Sequence, residues 1–208
     1  MAQFFQIHPD NPQMRLAAQA AAIVRQGGVI VYPTDSCYAV GCHLGDKQAV
    51  TRIRQLRKLD DRHHLTLVCR DLSEVGVYAR VTNAAFRLMK AITPGPYTFI
   101  LPATSEVPRR LVHPKRRTIG VRIPENPVAQ ALLDSLGEPL MSTTLQLPGD
   151  EFPLTDPYEM RSILGSQVDL IVDGGYCGVE ATTVIDLTEE TFVVVREGKG
   201  EIDLVLGV

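Results

Sequence analysis

Tryptophan is absent from this chain of 208 residues, aromatic residues make up only 6% of it, and cysteine occurs four times. The cysteines stand at positions 37, 42, 69 and 177, so they form no Cys-x-x-Cys pair. Structural zinc sites in proteins use such pairs or comparable spacings of His and Cys. We therefore assign no metal ligand and expect the four thiols to be free.

Long apolar runs are also missing, since no run approaches the roughly 20 residues that a membrane-spanning helix needs. Residues 1–6 lack the basic and apolar segments of a signal peptide. The sequence thus favours a cytoplasmic protein that has no membrane partner. Cytoplasmic thiols are kept reduced, which agrees with unpaired cysteines.

Neither sign of charge dominates the chain, whose formal net charge is −3. This balance argues against indiscriminate binding of nucleic acids. The cations are nevertheless unevenly spread and crowd into residues 52–62 and 109–122. Because a local positive field can exist on a mildly acidic protein, both segments are candidates for binding anions.

The apolar pattern predicts a single α/β domain over residues 1–208. With 45% hydrophobic residues, the chain is long enough to bury one sizeable core. Segments with helical spacing alternate with short β-branched runs. The predicted strands 184–187 and 192–195 are too close for a parallel crossover, so we expect a mixed sheet. The first helix is predicted to start at Asn11 and Pro12, with the asparagine as its N-cap.

A short buried strand followed by polar residues is predicted near the start of the chain. Residues 29–32 are apolar and rich in β-branched side chains, and Pro33 has no N–H to donate to a ladder. Thr34, Asp35 and Ser36 follow at once. In open α/β sheets, ligand sites gather beyond the strand ends, so this turn is a candidate site. A plain turn that caps itself is the alternative.

Residues 33–41 resemble the opening motif of the YrdC/YciO family, Pro-Thr-Asp-Thr-x-Tyr-Gly-Leu-Gly. Further matches extend over nearly the whole chain, and their detail is most similar to the YciO branch. The resemblance implies a twisted, open, mixed β-sheet with flanking helices and a concave basic face. Family members with known activity are L-threonylcarbamoyladenylate synthases, which join L-threonine, bicarbonate and ATP for tRNA modification. The resemblance also implies that no cofactor is bound permanently and that, if the protein is an enzyme, Mg²⁺ enters with ATP.

Cationic and titratable residues are concentrated in residues 54–65, between a predicted helix and a strand. The segment is either a solvated helix end, where the macrodipole favours cations, or a phosphate clamp. The resemblance favours the clamp, because the family has Lys-x-Arg-x-x-x-x-Pro-Leu here. Aligned on the final leucine, the family's Lys, Arg and Pro fall on Arg57, Leu59 and His64. One cation is therefore retained in changed form, and the other is replaced by a hydrophobic residue.

Three further matches add residues to the implied site. Residues 121–124 resemble the family's Val-Arg-x-Pro, whose arginine meets the carboxylate of threonine; a salt bridge to one of the chain's own acids is the alternative for this buried arginine. The family's Pro-Ser-Ala-Asn-x-Ser-Gly motif has an altered counterpart at 139–149, and its Glu-Ser-Thr-Val-Val-Asp and Arg-Pro-Gly motifs have counterparts at 178–186 and 196–198. The residues implied for a threonine-like substrate are Thr34, Tyr38, Arg122 and Thr182. Those implied for a nucleotide and its phosphates are Arg57, Lys58, His63, Thr144, Gln146 and Arg196.

A second basic run precedes the predicted strand 118–123. It contains Arg109, Arg110, Lys115, Arg116 and Arg117. No aromatic residues are interleaved, so the run is suited to phosphates of double-stranded or structured RNA, such as tRNA or rRNA, rather than to stacking on single strands. A solubilising loop with scattered cations is the alternative.

Two functions are thus open. The sequence favours a YciO-type protein that binds structured RNA and has a pocket for ATP or AMP, with weak threonylcarbamoyl-AMP synthase activity. A fully active L-threonylcarbamoyladenylate synthase is the alternative. Release of pyrophosphate that depends on threonine and bicarbonate distinguishes an enzyme from a binding module.

Overall fold

The computed structural model describes residues 1–59 and 65–203, whose strands form one open sheet. In chain order, the strands are β1 Gln3–Gln6, β2 Ile30–Tyr32, β3 Ala39–His43, β4 Thr66–Val68, β5 Tyr97–Pro102, β6 Thr118–Arg122, β7 Leu140–Thr144, β8 Leu170–Asp173, β9 Thr183–Asp186 and β10 Val193–Arg196. Their order in the sheet is β1-β8-β2-β3-β7-β4-β6-β5-β9-β10. Parallel neighbours such as β4 and β6 occur beside antiparallel ones such as β9 and β10, so the predicted mixed sheet is confirmed.

Six helices accompany the sheet in the described part of the chain. They are α1 Met14–Arg25, α2 Lys47–Arg57, α3 Leu72–Tyr78, α4 Asn83–Ile92, α5 Pro127–Leu136 and α6 Pro157–Leu164. The side chains of Asp46 and Asp71 accept hydrogen bonds from the first turns of α2 and α3, as their N-cap positions predict. The α/β class is therefore confirmed.

One local prediction was wrong at the N-terminus, and one strand there was not predicted. Helix α1 starts at Met14 and not at Asn11, because the backbone N–H of Asn11 is held by His8 Nδ1 at 3.2 Å. Strand β1 was not expected from a stretch of only four residues. It forms because β8 lies alongside it in parallel, a pairing between distant parts of the sequence.

The helices cover the two faces of the sheet unequally. Val31 of β2 belongs to the core that includes residues of α2, α3, α4 and α6. Its neighbours Ile30 and Tyr32 point to the other face, where they pack with α1 and α5. Among the described residues, this second cluster contains none from β5, β6 or β9. That part of the sheet face is consequently left without a helix, and it is where the cavity described below lies.

The described helices are also short. None has the length and apolar character that crossing a membrane requires.

Candidate functional site

A cavity of about 700 Å³ opens on the part of the sheet that the helices leave bare. Side chains that alternate along the strands point into it, because residues two apart on a strand share a face. Its floor is rich in hydroxyls, which belong to Thr66, Thr98, Thr118, Ser142, Thr144 and Thr182. Gly120 of β6 leaves room at the centre of this floor.

Cationic side chains outnumber carboxylates on the walls of the cavity, and two of the cations are paired with Asp35 and Asp186. Four arginines line it, namely Arg57, Arg116, Arg122 and Arg196. Glu151 is the one carboxylate among the described lining residues. Cations that converge on a concave surface of limited solvent access concentrate the field there, so the cavity is suited to an anionic ligand.

Arg122 joins the cavity to the turn that follows β2. Its Nη2 donates to Thr34 Oγ1 at 3.2 Å, to Ser36 Oγ at 2.9 Å and to the carboxylate of Asp35. The Arg122 and Asp35 side chains are each only 10% exposed. The salt bridge that was the alternative for Arg122 is therefore present. Thr34 Oγ1 also donates to Cys37 O at 2.6 Å, so the turn caps itself as well.

Three buried polar atoms have no hydrogen-bond partner among the described residues: Arg122 Nε, Asp35 Oδ2 and Arg57 Nε. Buried polar groups are almost always paired, because an unpaired one has lost its water without compensation. Burial also lowers the pKa of the Arg57 guanidinium. Two lining arginines thus carry an unpaired donor each, and Asp35 in the adjoining turn carries an unpaired acceptor.

Four other predicted residues also reach the cavity, namely Thr144, Gln146, Thr182 and Arg196. Arg196 Nη2 donates to Thr182 O at 2.9 Å, and the hydroxyls of Thr182 and Thr98 lie 2.8 Å apart. Gln146 is engaged elsewhere, since its Nε2 donates to Asp150 O at 2.9 Å and to Glu151 O at 3.2 Å. Its amide therefore holds a neighbouring loop.

The remaining predicted residues lie elsewhere. Tyr38 is fully buried, and burial raises its pKa; its hydroxyl donates to Gly175 O at 2.7 Å instead of lining the cavity. Lys58 is the exposed, left-handed C-cap of α2 and is not a lining residue. His63 lies outside the described residues, as does His64. Leu59, at the position of the family's arginine, packs against the core.

The basic run 109–117 contains two groups of cations: those that donate hydrogen bonds to other parts of the protein and those that are only exposed to solvent. Arg116 lines the cavity, and its Nη2 donates to Asp186 Oδ2 at 2.6 Å. Burial tends to raise the pKa of Asp186, but hydrogen bonds from Thr188 and Arg116 outweigh it and hold the pKa below its usual value. Arg110 Nη2 donates to Gly45 O at 2.7 Å. The others, Arg109, Lys115 and Arg117, are exposed.

Sequence reasoning missed several residues of the site. Asp35 received no role, although its place between two hydroxyl residues was noted. Thr98 and Phe152 line the cavity, and no motif marks either of them.

In the described part of the chain, no group of three or more His, Cys, Asp or Glu side chains is placed to hold a metal ion.

Comparisons with known proteins agree with this architecture. The chain is similar to YciO of Escherichia coli (strain K12), with 63% identity over 202 residues that cover 97% of this chain and 98% of that one. The crystal structure of E. coli YciO superimposes with a TM-score of 0.94 at 62% identity, covering 98% of this chain and 99% of that chain.

Two more distant relatives are a named synthase and a protein crystallised with a ligand. Threonylcarbamoyl-AMP synthase of Halorhodospira halophila is 35% identical over 167 residues, which cover 80% of this chain and 86% of that one. Sua5 of P. abyssi, crystallised with L-threonine, matches with a TM-score of 0.86 at 26% identity and covers 94% of this chain but 57% of the longer Sua5 chain. The family model for Sua5, YciO and YrdC, described as "Telomere recombination", matches residues 22–198. The chain therefore belongs to the Sua5/YciO/YrdC family.

Proposed function

We propose that the cavity binds a nucleotide together with an L-threonine-like amino acid, and that the protein forms threonylcarbamoyl-AMP slowly. The observation that carries this proposal is the convergence of four arginines on one cavity beside unpaired buried polar atoms. Arginine pairs well with phosphate and carboxylate oxygens. The cavity's volume of about 700 Å³ also falls within the usual range of roughly 300–1,000 Å³ for ligand pockets.

The amino-acid end of the ligand fits the Arg122 and Asp35 pair. Arg122 Nε is an unpaired donor, and Asp35 Oδ2 is an unpaired acceptor in the same ion pair. An amino acid offers a carboxylate to the first, and its amino group, or the N–H that remains after carboxylation, to the second. The L-threonine bound by P. abyssi Sua5 is a ligand of this chemistry.

The reaction would need positioning and charge neutralisation more than a protein nucleophile. A carbamate oxygen of the carboxylated threonine attacks the α-phosphorus of ATP, and the bond to pyrophosphate breaks. Arg57 and Arg196 would neutralise the phosphates, and Mg²⁺ would enter on the triphosphate.

Two departures from the family pattern predict a slow reaction. Leu59 replaces a cation and packs against the core, and the Gln146 amide is bonded to its own loop. Leu59 then offers no charge to the nucleotide, and the Gln146 Nε2 hydrogens are already donated to the loop. A misplacement of about 1 Å can cost roughly 100-fold in rate.

Pyrophosphate release tests this proposal. With MgATP, L-threonine and bicarbonate, we expect release that requires all three and is about 100-fold slower than that of the H. halophila synthase measured alongside. ATP binding without pyrophosphate release would show that the protein binds the nucleotide but does not catalyse the reaction. A chain that does not bind ATP would contradict the nucleotide pocket itself.

Structured RNA is a second candidate ligand, favoured by the exposed cations of the basic run. Arg109, Lys115 and Arg117 are exposed and form no ion pair in the described part of the chain. Unpaired surface cations can replace the counterions of an RNA backbone. They lack aromatic neighbours in the run, so binding would depend on RNA shape more than on base sequence.

The salt dependence of binding separates RNA contact from solubility. On double-stranded RNA, replacing Arg109 and Lys115 by alanine is expected to flatten the log–log salt slope by up to about two units, since each phosphate contact contributes about 0.9. Arg116→Ala is the matched comparison, because this arginine is already bonded to Asp186 and should change the slope less. A filter-binding titration measures the slopes. An unchanged slope in the double variant would leave only a solubilising loop.

A further inference from the structure

One aromatic ring stands at the cavity with about half of its surface exposed. Phe152 lines the cavity and is 56% exposed. The other aromatic among the described lining residues, Tyr32, is fully buried and donates its hydroxyl to Ser142 Oγ at 2.9 Å. Singly exposed apolar rings are common on protein surfaces, but this one stands at the edge of a basic cavity.

The loop that carries Phe152 is braced. Its ends are joined where Leu154 N donates to Leu145 O at 3.1 Å, and a turn inside it is closed by Asp150 N and Leu147 O at 3.1 Å. Gly149 provides the left-handed residue of this turn, with φ of 92°. Gln146 Nε2 then donates to the carbonyl oxygens of Asp150 and Glu151, immediately before the ring. The protein thus orders the segment that presents Phe152.

Apolar residues line part of the cavity in addition to its arginines. Pro153 and the partly exposed Val179 also line the cavity, whereas phosphate groups would be bound by its arginines. A ligand made only of phosphate and amino acid has no use for an exposed aromatic face. A nucleotide does, since its base has a flat π surface at one end and its phosphates carry the charge at the other.

We propose that Phe152 is the stacking platform for the base of a free nucleotide bound in the cavity, with Gln146 as the residue that positions its loop. This inference rests on the proposed nucleotide pocket and adds the residue that recognises the base. A single ring is enough for one base. Proteins that bind single-stranded RNA stack successive bases on several aromatics.

Calorimetric titration with MgATP and with magnesium triphosphate tests the platform. Phe152→Ala is expected to weaken ATP binding by about 5- to 20-fold, the lower part of the range for base stacking, because the ring is half exposed. Binding of inorganic triphosphate should be unchanged, and Phe152→Tyr should retain ATP affinity. The matched control is Phe86→Ala on α4, an equivalent ring that is 45% exposed and is not a lining residue.

An equal loss for ATP and triphosphate would show that the loop, not the ring, is needed, and would overturn the platform. Undiminished ATP binding by Phe152→Ala would also overturn it, while leaving the nucleotide pocket intact. If the wild-type protein binds neither ligand, the proposed function fails and the platform with it.

Fluorescence supplies a direct readout of stacking, because the chain has no tryptophan. Phe152→Trp introduces one indole at the platform, and we expect ATP but not triphosphate to quench its emission. Phe86→Trp should respond to neither. A short RNA oligonucleotide that quenches the indole more strongly than ATP would contradict assignment to a free nucleotide.

Discussion

Replacing Asp35 by alanine is expected to lower the free energy of unfolding by about 3–5 kcal/mol, the usual cost of removing one partner of a buried ion pair. Arg122 would keep its bonds to the Thr34 and Ser36 hydroxyls, but its charge would stay buried without a carboxylate. The backbone would be little disturbed, since Lys199 Nζ bonds to the carbonyl oxygen of residue 35 and not to its side chain. Urea denaturation at pH 7 measures the change.

Two further variants isolate the contribution of the pair. Asp35→Leu combined with Arg122→Met removes both charges, so we expect it to be more stable than Asp35→Ala. The control is Asp134→Ala, which removes an exposed carboxylate 3.7 Å from Arg70 and should cost less than about 1 kcal/mol. If Asp35→Ala lowered the free energy of unfolding by no more than Asp134→Ala does, the Arg122 charge would not depend on Asp35 for its stability in the folded protein.

Replacing Arg57 by methionine is expected to weaken ATP binding by about 10- to 100-fold, because a hydrogen bond to a charged group is worth roughly 1.5–3 kcal/mol. The same variant should not lose stability. Arg57 is half buried, its Nε has no partner among the described residues, and burial lowers its pKa. Methionine keeps most of the apolar stem and removes the desolvated charge. Binding by calorimetry and unfolding in urea would both be measured.

Arg52 provides the matched control on the same helix. Its Nη1 lies 2.8 Å from Asp169 Oδ2, and it is not among the cavity's lining residues. Arg52→Met should leave ATP affinity unchanged and reduce stability slightly, since the pair is partly exposed. A loss of stability in Arg57→Met, with ATP affinity unchanged, would show that Arg57 is structural.

Features that depend on a few consecutive residues could be predicted before the structure was known. The buried strand β2 ends at Tyr32 because Pro33 cannot donate to the ladder, and Asp46 caps α2 because its side chain reaches a backbone N–H three residues ahead. The family motifs are likewise local patterns. They directed attention to Arg122 and Arg196, which line one cavity, and to Thr34 in the adjoining turn.

The tertiary structure alone decided which partner each polar side chain meets. Arg122 pairs with Asp35, 87 residues earlier, because the turn after β2 lies beside the end of β6. Arg116, predicted to bind RNA, donates a hydrogen bond to Asp186. Gln146, predicted to bind a nucleotide, donates a hydrogen bond to Asp150 O in its own loop. The bare part of the sheet exists because α1 and α5 pack on β2, β3 and β8 and not on β5, β6 or β9, within the described residues. Strand order and helix placement depend on contacts between distant segments, so the direction of these side chains could not be predicted from neighbouring residues.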